Sequence, residues 1–169
     1  MADFLNKRLK TLLNRRNATV VPGAFNALAA KMVADEGFEA VYVSGAGVTN
    51  AYLGVPDLGL ISLSELADNV AAMRDVVDIP IVSDADTGFG NAVNVTRTVR
   101  VLERAGANGI QLEDQVFPKK CGHFSGKAVI PADEAIQKIR AAVDARKDDD
   151  FVIVARTDAR SVLGFESAL

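Results

Sequence analysis

The stretch Ile79-Pro80-Ile81-Val82-Ser83-Asp84-Ala85-Asp86-Thr87-Gly88-Phe89-Gly90 decides the fold class. Its first half is a short apolar run, the kind that forms a strand buried on both faces of a parallel sheet. Its second half closes in two acids and then glycines. Working outward, the runs Thr19–Pro22, Glu39–Ser44, Asn108–Glu113 and Phe151–Arg156 read as further strands. Between them the apolar period becomes helical. Leu63, Leu66, Val70, Met73 and Val77 share one face, behind a capping box made by Ser62 and Glu65. Ala92, Val95, Val99 and Leu102 line a second helix. Ala135, Ile136, Ile139, Ala142 and Val143 line a third, which opens after Pro131 with Asp133 and Glu134 in its first turn. Strict alternation predicts an α/β fold with a parallel sheet. Periodicity leaves a doubly wound sheet and a (β/α)8 barrel both open. The strand ends favour the barrel: Ser44, Asp84 with Asp86, Glu113 and Arg156 close four successive strands. In a barrel such ends converge on one mouth, whereas in an open sheet they spread along a line.

The chain's 169 residues amount to one ordinary domain by length, residues 1–169. With 49% hydrophobic residues and mean hydropathy +0.15, material for a core is ample. A net charge of -3 and the lack of a large basic patch exclude a nucleic-acid partner. The densest basic cluster, Lys7, Arg8, Lys10, Arg15 and Arg16, interleaves with Leu5, Leu9, Leu12 and Leu13. That pattern predicts an amphipathic N-terminal helix over 3–16, packed on the domain rather than on a membrane surface. No uninterrupted apolar stretch resembles a signal peptide or reaches the ~18 residues of a membrane span. A single cysteine excludes an intramolecular disulfide and suits a reducing cytoplasm, so a cytoplasmic protein is expected.

The strand-end residues carry candidate chemistry. Asp84, Asp86 and Glu113 are three carboxylates without an adjacent imidazole, a set that suits a hard cation, Mg²⁺ or else Mn²⁺. The bland alternative is that these acids cap helices. Ser44-Gly45-Ala46-Gly47 follows a strand, and a small glycine-bearing turn lets backbone N–H groups approach an anion. A plain βα turn is the alternative there. Arg156 at its strand end needs an anion or a carboxylate such as Asp158. The Tyr42 hydroxyl is placed to polarise a substrate or act as a base, against the alternative of a core tyrosine. The run Lys119-Lys120-Cys121-Gly122-His123 holds the chain's only cysteine and only histidine. Neighbouring cations raise the thiolate fraction of a thiol. The run lies on a long segment, 115–130, with Gly122 and Gly126 as flexible points. A long loop at the catalytic end reads as a lid.

These pieces together resemble the isocitrate lyase / phosphoenolpyruvate mutase superfamily, most closely its 2-methylisocitrate lyase and 2,3-dimethylmalate lyase branch. The matching stretches run from Val21-Pro22-Gly23-Ala24 through Tyr42-Val43-Ser44-Gly45, Pro56-Asp57-Leu58-Gly59, the Asp84 run and the Cys121 run to Ala155-Arg156-Thr157-Asp158-Ala159. Lys-Lys-Cys-Gly-His is a specific signal, while Asp-x-Asp alone is weak. The resemblance implies a (β/α)8 TIM-type barrel, of which this chain carries about the first five βα units. It implies that Asp86 is the direct metal ligand, with Asp84 and Glu113 in support. Ser44, Gly45, Ala46, Asp57, Gly122 and Arg156 would contact substrate, although the family often has glycine where Ala46 stands. Cys121 would be the general acid, assisted by Tyr42, His123, Lys119 and Lys120. The implied activity is Mg²⁺-dependent carbon–carbon cleavage of a small 2-hydroxy di- or tricarboxylate, giving pyruvate or glyoxylate through an enediolate, in a homotetramer. A phosphonomutase that forms a carbon–phosphorus bond is the runner-up, and a non-catalytic fragment is the second alternative. Five strands rather than eight lead to the expectation that the chain is the N-terminal part of a longer one and unstable alone.

Overall fold

The computed structural model describes residues 2–15 and 17–169. Five strands form one parallel sheet: β1 (Gly23–Ala24), β2 (Val41–Val43), β3 (Ile81–Asp84), β4 (Gly109–Glu113) and β5 (Val152–Arg156). Their spatial order is β1-β2-β3-β4-β5, the order of the chain, with no reversal. Parallel crossovers are right-handed. When every crossover also steps the same way, all helices fall on one face and the sheet curls into an arc. A doubly wound sheet would reverse its strand order at a switch point. This one does not, so the architecture is the barrel type.

The helices are α1 (Ala2–Asn14), α2 (Ala27–Asp35), α3 (Gly45–Leu53), α4 (Leu63–Arg74), α5 (Ala92–Arg104), α6 (Ala132–Ala145) and the short α7 (Ala159–Leu163). The capping box of α4 forms as its sequence predicts, with Ser62 N–H donating to Glu65 Oε2 at 2.7 Å. Leu66, Val70 and Met73 of α4 and Val95, Val99 and Leu102 of α5 pack against Val41, Val43, Ile81 and Ile110 of the sheet in one core. In α1, Leu5, Leu9 and Leu12 are buried at the N-terminal ends of the strands, where a Cβ on Gly109 would lie 3.3 Å from Leu9 Cδ2. Asn6 locks this contact through Asn108 (2.7 Å) and Asp148 (2.8 Å). Three leucines of the stripe are thereby spent on the protein, while Leu13 is exposed. No helix among the described residues is long and apolar enough to cross a membrane.

Three expectations shift. The first strand lies at Gly23–Ala24, after the predicted Thr19–Pro22, because Tyr42 N–H reaches Pro22 O and pairing begins there. Val20 and Val21 are consequently exposed. The supposed glycine turn after β2 is the first turn of α3, capped by Ser44 and closed by Gly54 at φ 68°. In α6, Ile136 and Val143, which periodicity sends inward, are exposed, and Lys138 is buried in their stead. The strand beside them, β5, is the last of the five in the sheet, its residues half-buried apart from the exposed Ala155.

Candidate active site

The C-terminal ends of β2 to β5 form one mouth. The first three elements of the site follow from how each strand ends. After β2, Ser44 leaves the strand as the N-cap of α3, and its Oγ accepts from Gly47 N–H at 3.1 Å. The remaining first-turn N–H groups of a helix lack helical acceptors and suit an anion. After β3, the chain turns sharply at Asp86, whose φ of 45° is unusual for a non-glycine residue. Side chains outside the sheet hold that turn: Lys138 Nζ donates to Thr87 O at 3.0 Å, and Thr98 Oγ1 donates to Gly88 O at 2.9 Å. Strained backbone persists only where its surroundings over-determine it, and these two contacts do so. Asp86 N–H also donates to Asp84 Oδ1 at 3.2 Å. After β4, Glu113 is buried, with Arg156 from β5 pairing to its Oε2 at 3.2 Å.

The carboxylates are held against their ionised forms. Burial first, and then the neighbouring Asp84, push Asp86 up from 3.8 to about 6. Burial pushes Glu113 up to about 7, although Arg156 and Lys119 oppose the shift. Asp84 is raised as well, chiefly by burial. Tyr42 faces Asp84, Asp86, Glu113 and Arg156, and burial together with the Asp84 charge lifts its phenol far above the usual range. A phenol in that field is a hydrogen-bond donor and a poor base.

The Cys121 loop folds over this mouth. Its base is closed by an antiparallel bridge between Gln115 and Val129, and Cys121 N–H donates to Asp57 O at 3.2 Å. Lys119 is 3% exposed and sits between two acids, 2.6 Å from Asp57 Oδ1 and 2.8 Å from Asp86 Oδ1. Lys119 therefore neutralises carboxylates, and Lys120 Nζ turns to Gly126 O at 2.9 Å. Both ammonium groups are thus engaged by oxygen atoms. The group beside the thiol is His123, with Nδ1 3.5 Å from Cys121 Sγ. A cavity of about 430 Å³ opens beside the thiol, lined by Ala46, Asn50, Pro56, Asp57 and Phe124. Gly122 lies flush against Arg156: a Cβ there would come within 2.5 Å of Nη2. Of the partners foreseen for Arg156, Asp158 is present, paired at 3.2 Å, while the Glu113 pairing was not foreseen.

The carboxylates of the mouth suit a divalent cation only with the help of water. Among the described residues no three carboxylate, imidazole or thiol groups converge tightly enough to cage an ion on their own. Buried oxygens are nevertheless waiting: Glu113 Oε1 and Asp86 Oδ1 accept no hydrogen bond. Asp86 Oδ1 has the Lys119 ammonium 2.8 Å away as a charge partner. Mg²⁺ keeps several waters and binds through one or two carboxylates, so one direct ligand with water-linked neighbours fits this set.

Sequence reasoning passed over Gln115 and Lys127. Lys127 Nζ donates to Gly122 O at 2.7 Å and pairs with Asp158 at 3.1 Å. Burial alone would raise the Asp158 carboxyl, but Lys127 and Arg156 outweigh it and hold the group below the usual range. No spacing rule links residues this far apart in the chain.

A family model described as phosphoenolpyruvate phosphomutase matches residues 9–168. The chain is 55% identical over 161 residues to a 2-methylisocitrate lyase of Aeropyrum pernix, covering 95% of this chain and 51% of that protein. It is 48% identical over 162 residues to a 2,3-dimethylmalate lyase of Eubacterium barkeri, covering 96% of this chain and 56% of that one. The crystal structure of a phosphonopyruvate hydrolase complex with oxalate and Mg²⁺ superposes with a TM-score of 0.86 at 36% identity, over 96% of this chain and 56% of the other. The chain thus spans about half the length of the proteins it matches.

Proposed function

The chain belongs to the phosphoenolpyruvate phosphomutase family of the isocitrate lyase superfamily, and on that premise we propose that it carries half of the active site of a divalent-metal-dependent carbon–carbon lyase. The substrate class is a small 2-hydroxy di- or tricarboxylate, methylisocitrate-like in its layout. The observation that carries the reading is Lys119. Held between Asp57 and Asp86, it ties the cysteine loop directly to the carboxylate mouth. The 2-methylisocitrate and 2,3-dimethylmalate lyases among its relatives support the same reading.

Asp86 would hold Mg²⁺ directly, and Asp84 and Glu113 through water. When bound, the ion supplies Lewis-acid stabilisation of negative charge on the substrate oxygens. Arg156 and the α3 N-terminus at Ser44, Gly45 and Ala46 bind carboxylate. Tyr42, held protonated, donates to a substrate oxygen. As the 2-hydroxyl passes its proton to a carboxylate of the mouth, Glu113 with its unpartnered Oε1 being placed to take it, its carbon becomes the carbonyl of pyruvate or glyoxylate. The electron pair of the broken carbon–carbon bond passes to the other fragment as an enediolate. Cys121 gives that fragment's carbon a proton, with His123 beside the thiol. The loop over the mouth excludes water, which protects the enediolate. The 115–130 segment acts as the lid of a single barrel domain that we place in the cytoplasm as a homotetramer.

The test is pyruvate or glyoxylate release from methylisocitrate, dimethylmalate and isocitrate, with Mg²⁺ and with EDTA. It is run on this chain alone and on the chain joined to the remaining length found in its relatives. Release that needs the metal is expected from the longer protein. No release from any of the three overturns the reading. A second reading, phosphoryl migration between oxygen and carbon, draws on the family model and on the phosphonopyruvate hydrolase likeness. Turnover of phosphonopyruvate with none of the hydroxy acids would favour it.

A further inference from the structure

The backbone on either side of Cys121 is gripped by side chains that meet at one carboxylate. On the upstream side, Gln115 holds Lys120 at both backbone atoms: Lys120 N–H donates to Gln115 Oε1 at 3.0 Å, and Gln115 Nε2 donates to Lys120 O at 3.0 Å. The same Nε2 donates to Asp158 Oδ2 at 3.0 Å. On the downstream side, Lys127 Nζ donates to Gly122 O at 2.7 Å and pairs with Asp158 Oδ1 at 3.1 Å. Asp158 is itself anchored, since its N–H donates to Asp114 Oδ1 at 2.9 Å. The Lys127 and Asp158 side chains are 9% and 10% exposed, so this ion pair is desolvated.

We propose that Lys127 and Asp158 form a latch that positions the Cys121 loop over Arg156, the pair acting as positioning residues for the thiol. The inference rests on the lyase reading only for what the thiol is used for. The latch itself stands on contacts. A buried ion pair is a poor source of stability, because desolvation offsets its attraction. What such a pair does well is fix one arrangement, since removing either partner strands the other charge. Here the arrangement fixed is the path of residues 120–122 above the mouth. Arg156 touches the latch from the other side, donating from Nη2 to Asp158 Oδ2 at 3.2 Å beneath Gly122. A carboxylate bound at Arg156 therefore meets a group that already shares a partner with the lid.

The test uses the thiol as its own reporter, because Cys121 is the sole cysteine of these 169 residues, and in the longer protein any other cysteine is first replaced by serine. The rate of alkylation by a neutral maleimide is followed across pH, without metal or substrate. The pH profile separates a change in thiolate fraction from a change in access, which appears in the limiting rate at high pH. Lys127→Met is expected to raise the limiting rate about fivefold or more, the mark of a loop that opens more often, with a lowered thermal midpoint, since Asp158 keeps only Arg156 as a charge partner. Lys127→Arg, which keeps charge and reach, restores most of the protection. Asp158→Asn is the second variant should Lys127→Met not fold, and it is expected to raise the rate likewise. An unchanged limiting rate in whichever variant folds overturns the latch. If alkylation accelerates while no hydroxy acid is cleaved by the wild type, the latch stands and the lyase reading falls; the converse result separates them the other way.

Discussion

Gly45 faces Asp84 with no room for a side chain between them: a Cβ on Gly45 would lie 2.9 Å from Asp84 Oδ2 and 3.4 Å from Asp86 Oδ1. Its backbone φ is not positive, so the need for glycine is one of space alone. Alanine is the better helix former by about 1 kcal/mol, which offsets part of the clash. Gly45→Ala is therefore expected to fold with a near-normal thermal midpoint while displacing the Asp84 carboxylate. Mg²⁺ or Mn²⁺ affinity, measured calorimetrically, should fall roughly tenfold, the scale on which disturbed supporting groups weaken metal sites. Unchanged affinity would separate Asp84 from the metal.

Asp86 carries the heavier assignment. Asp86→Ala removes the proposed direct ligand and leaves Lys119 paired to Asp57 alone. We expect metal-dependent turnover to vanish and Mg²⁺ no longer to raise the thermal midpoint. Asp86→Asn keeps the shape and should fail in the same way. Wild-type Mg²⁺ affinity in either variant would show that another group holds the ion.

The same carboxylates set a pH dependence of stability. Folding raises Asp86 from 3.8 to about 6 and Glu113 from 4.5 to about 7, in both cases chiefly by burial. Between pH ~4.5 and ~7 the native state thus binds more protons than the unfolded chain, and stability falls as pH rises through that window. The loss is on the order of 1–3 kcal/mol per carboxylate, reduced where solvent reaches the group. Lys119, raised by Asp86 and Asp57 against the effect of burial, stays charged in both states here and adds no slope. Asp158, lowered on folding, acts below this window. Urea midpoints in EDTA should be higher at pH 5 than at pH 8, and Mg²⁺ should flatten the difference by favouring the ionised forms. A midpoint in EDTA that rises with pH over this range would refute the burial argument.

How legible all this was depended on whether a signal was local. The central strands β3 and β4 were plain, because a strand with neighbours on both sides places apolar residues such as Ile81, Ile110 and Leu112 in the core. The edge strand β1 was misplaced, because with a neighbour on one side only, Val20 and Val21 need not be covered. The helix α3 was read as a turn: Gly45, Gly47 and Thr49 are weak helix formers, and its stability comes from the Ser44 cap and its packing. Three carboxylates and Arg156 were legible as strand ends. The destination of Lys119 was not, since its partner Asp57 lies 62 residues away. The Lys127–Asp158 pair was hidden for the same reason.

Cys121 gives the sharpest test of the chemistry. If the thiol protonates the enediolate, Cys121→Ser should fold normally and still bind Mg²⁺ and substrate, because no hydrogen bond that shapes the loop uses the sulfur except the 3.5 Å contact to His123. The loop is instead held by Lys119, Gln115 and Lys127, all retained in the variant. Serine keeps the size but is far less acidic, so turnover should fall by ~10²–10⁴-fold, the usual worth of a general acid, with KM little changed. Full expression of the effect requires chemistry to limit the rate, which a single-turnover measurement secures even if lid opening is slow. Alkylating the thiol should inactivate, and a bound dicarboxylate should protect by holding the loop over Arg156. Unchanged single-turnover rates in both directions would make Cys121 a packing residue. The donor would then be sought at Tyr42, whose phenol is already held protonated at the mouth.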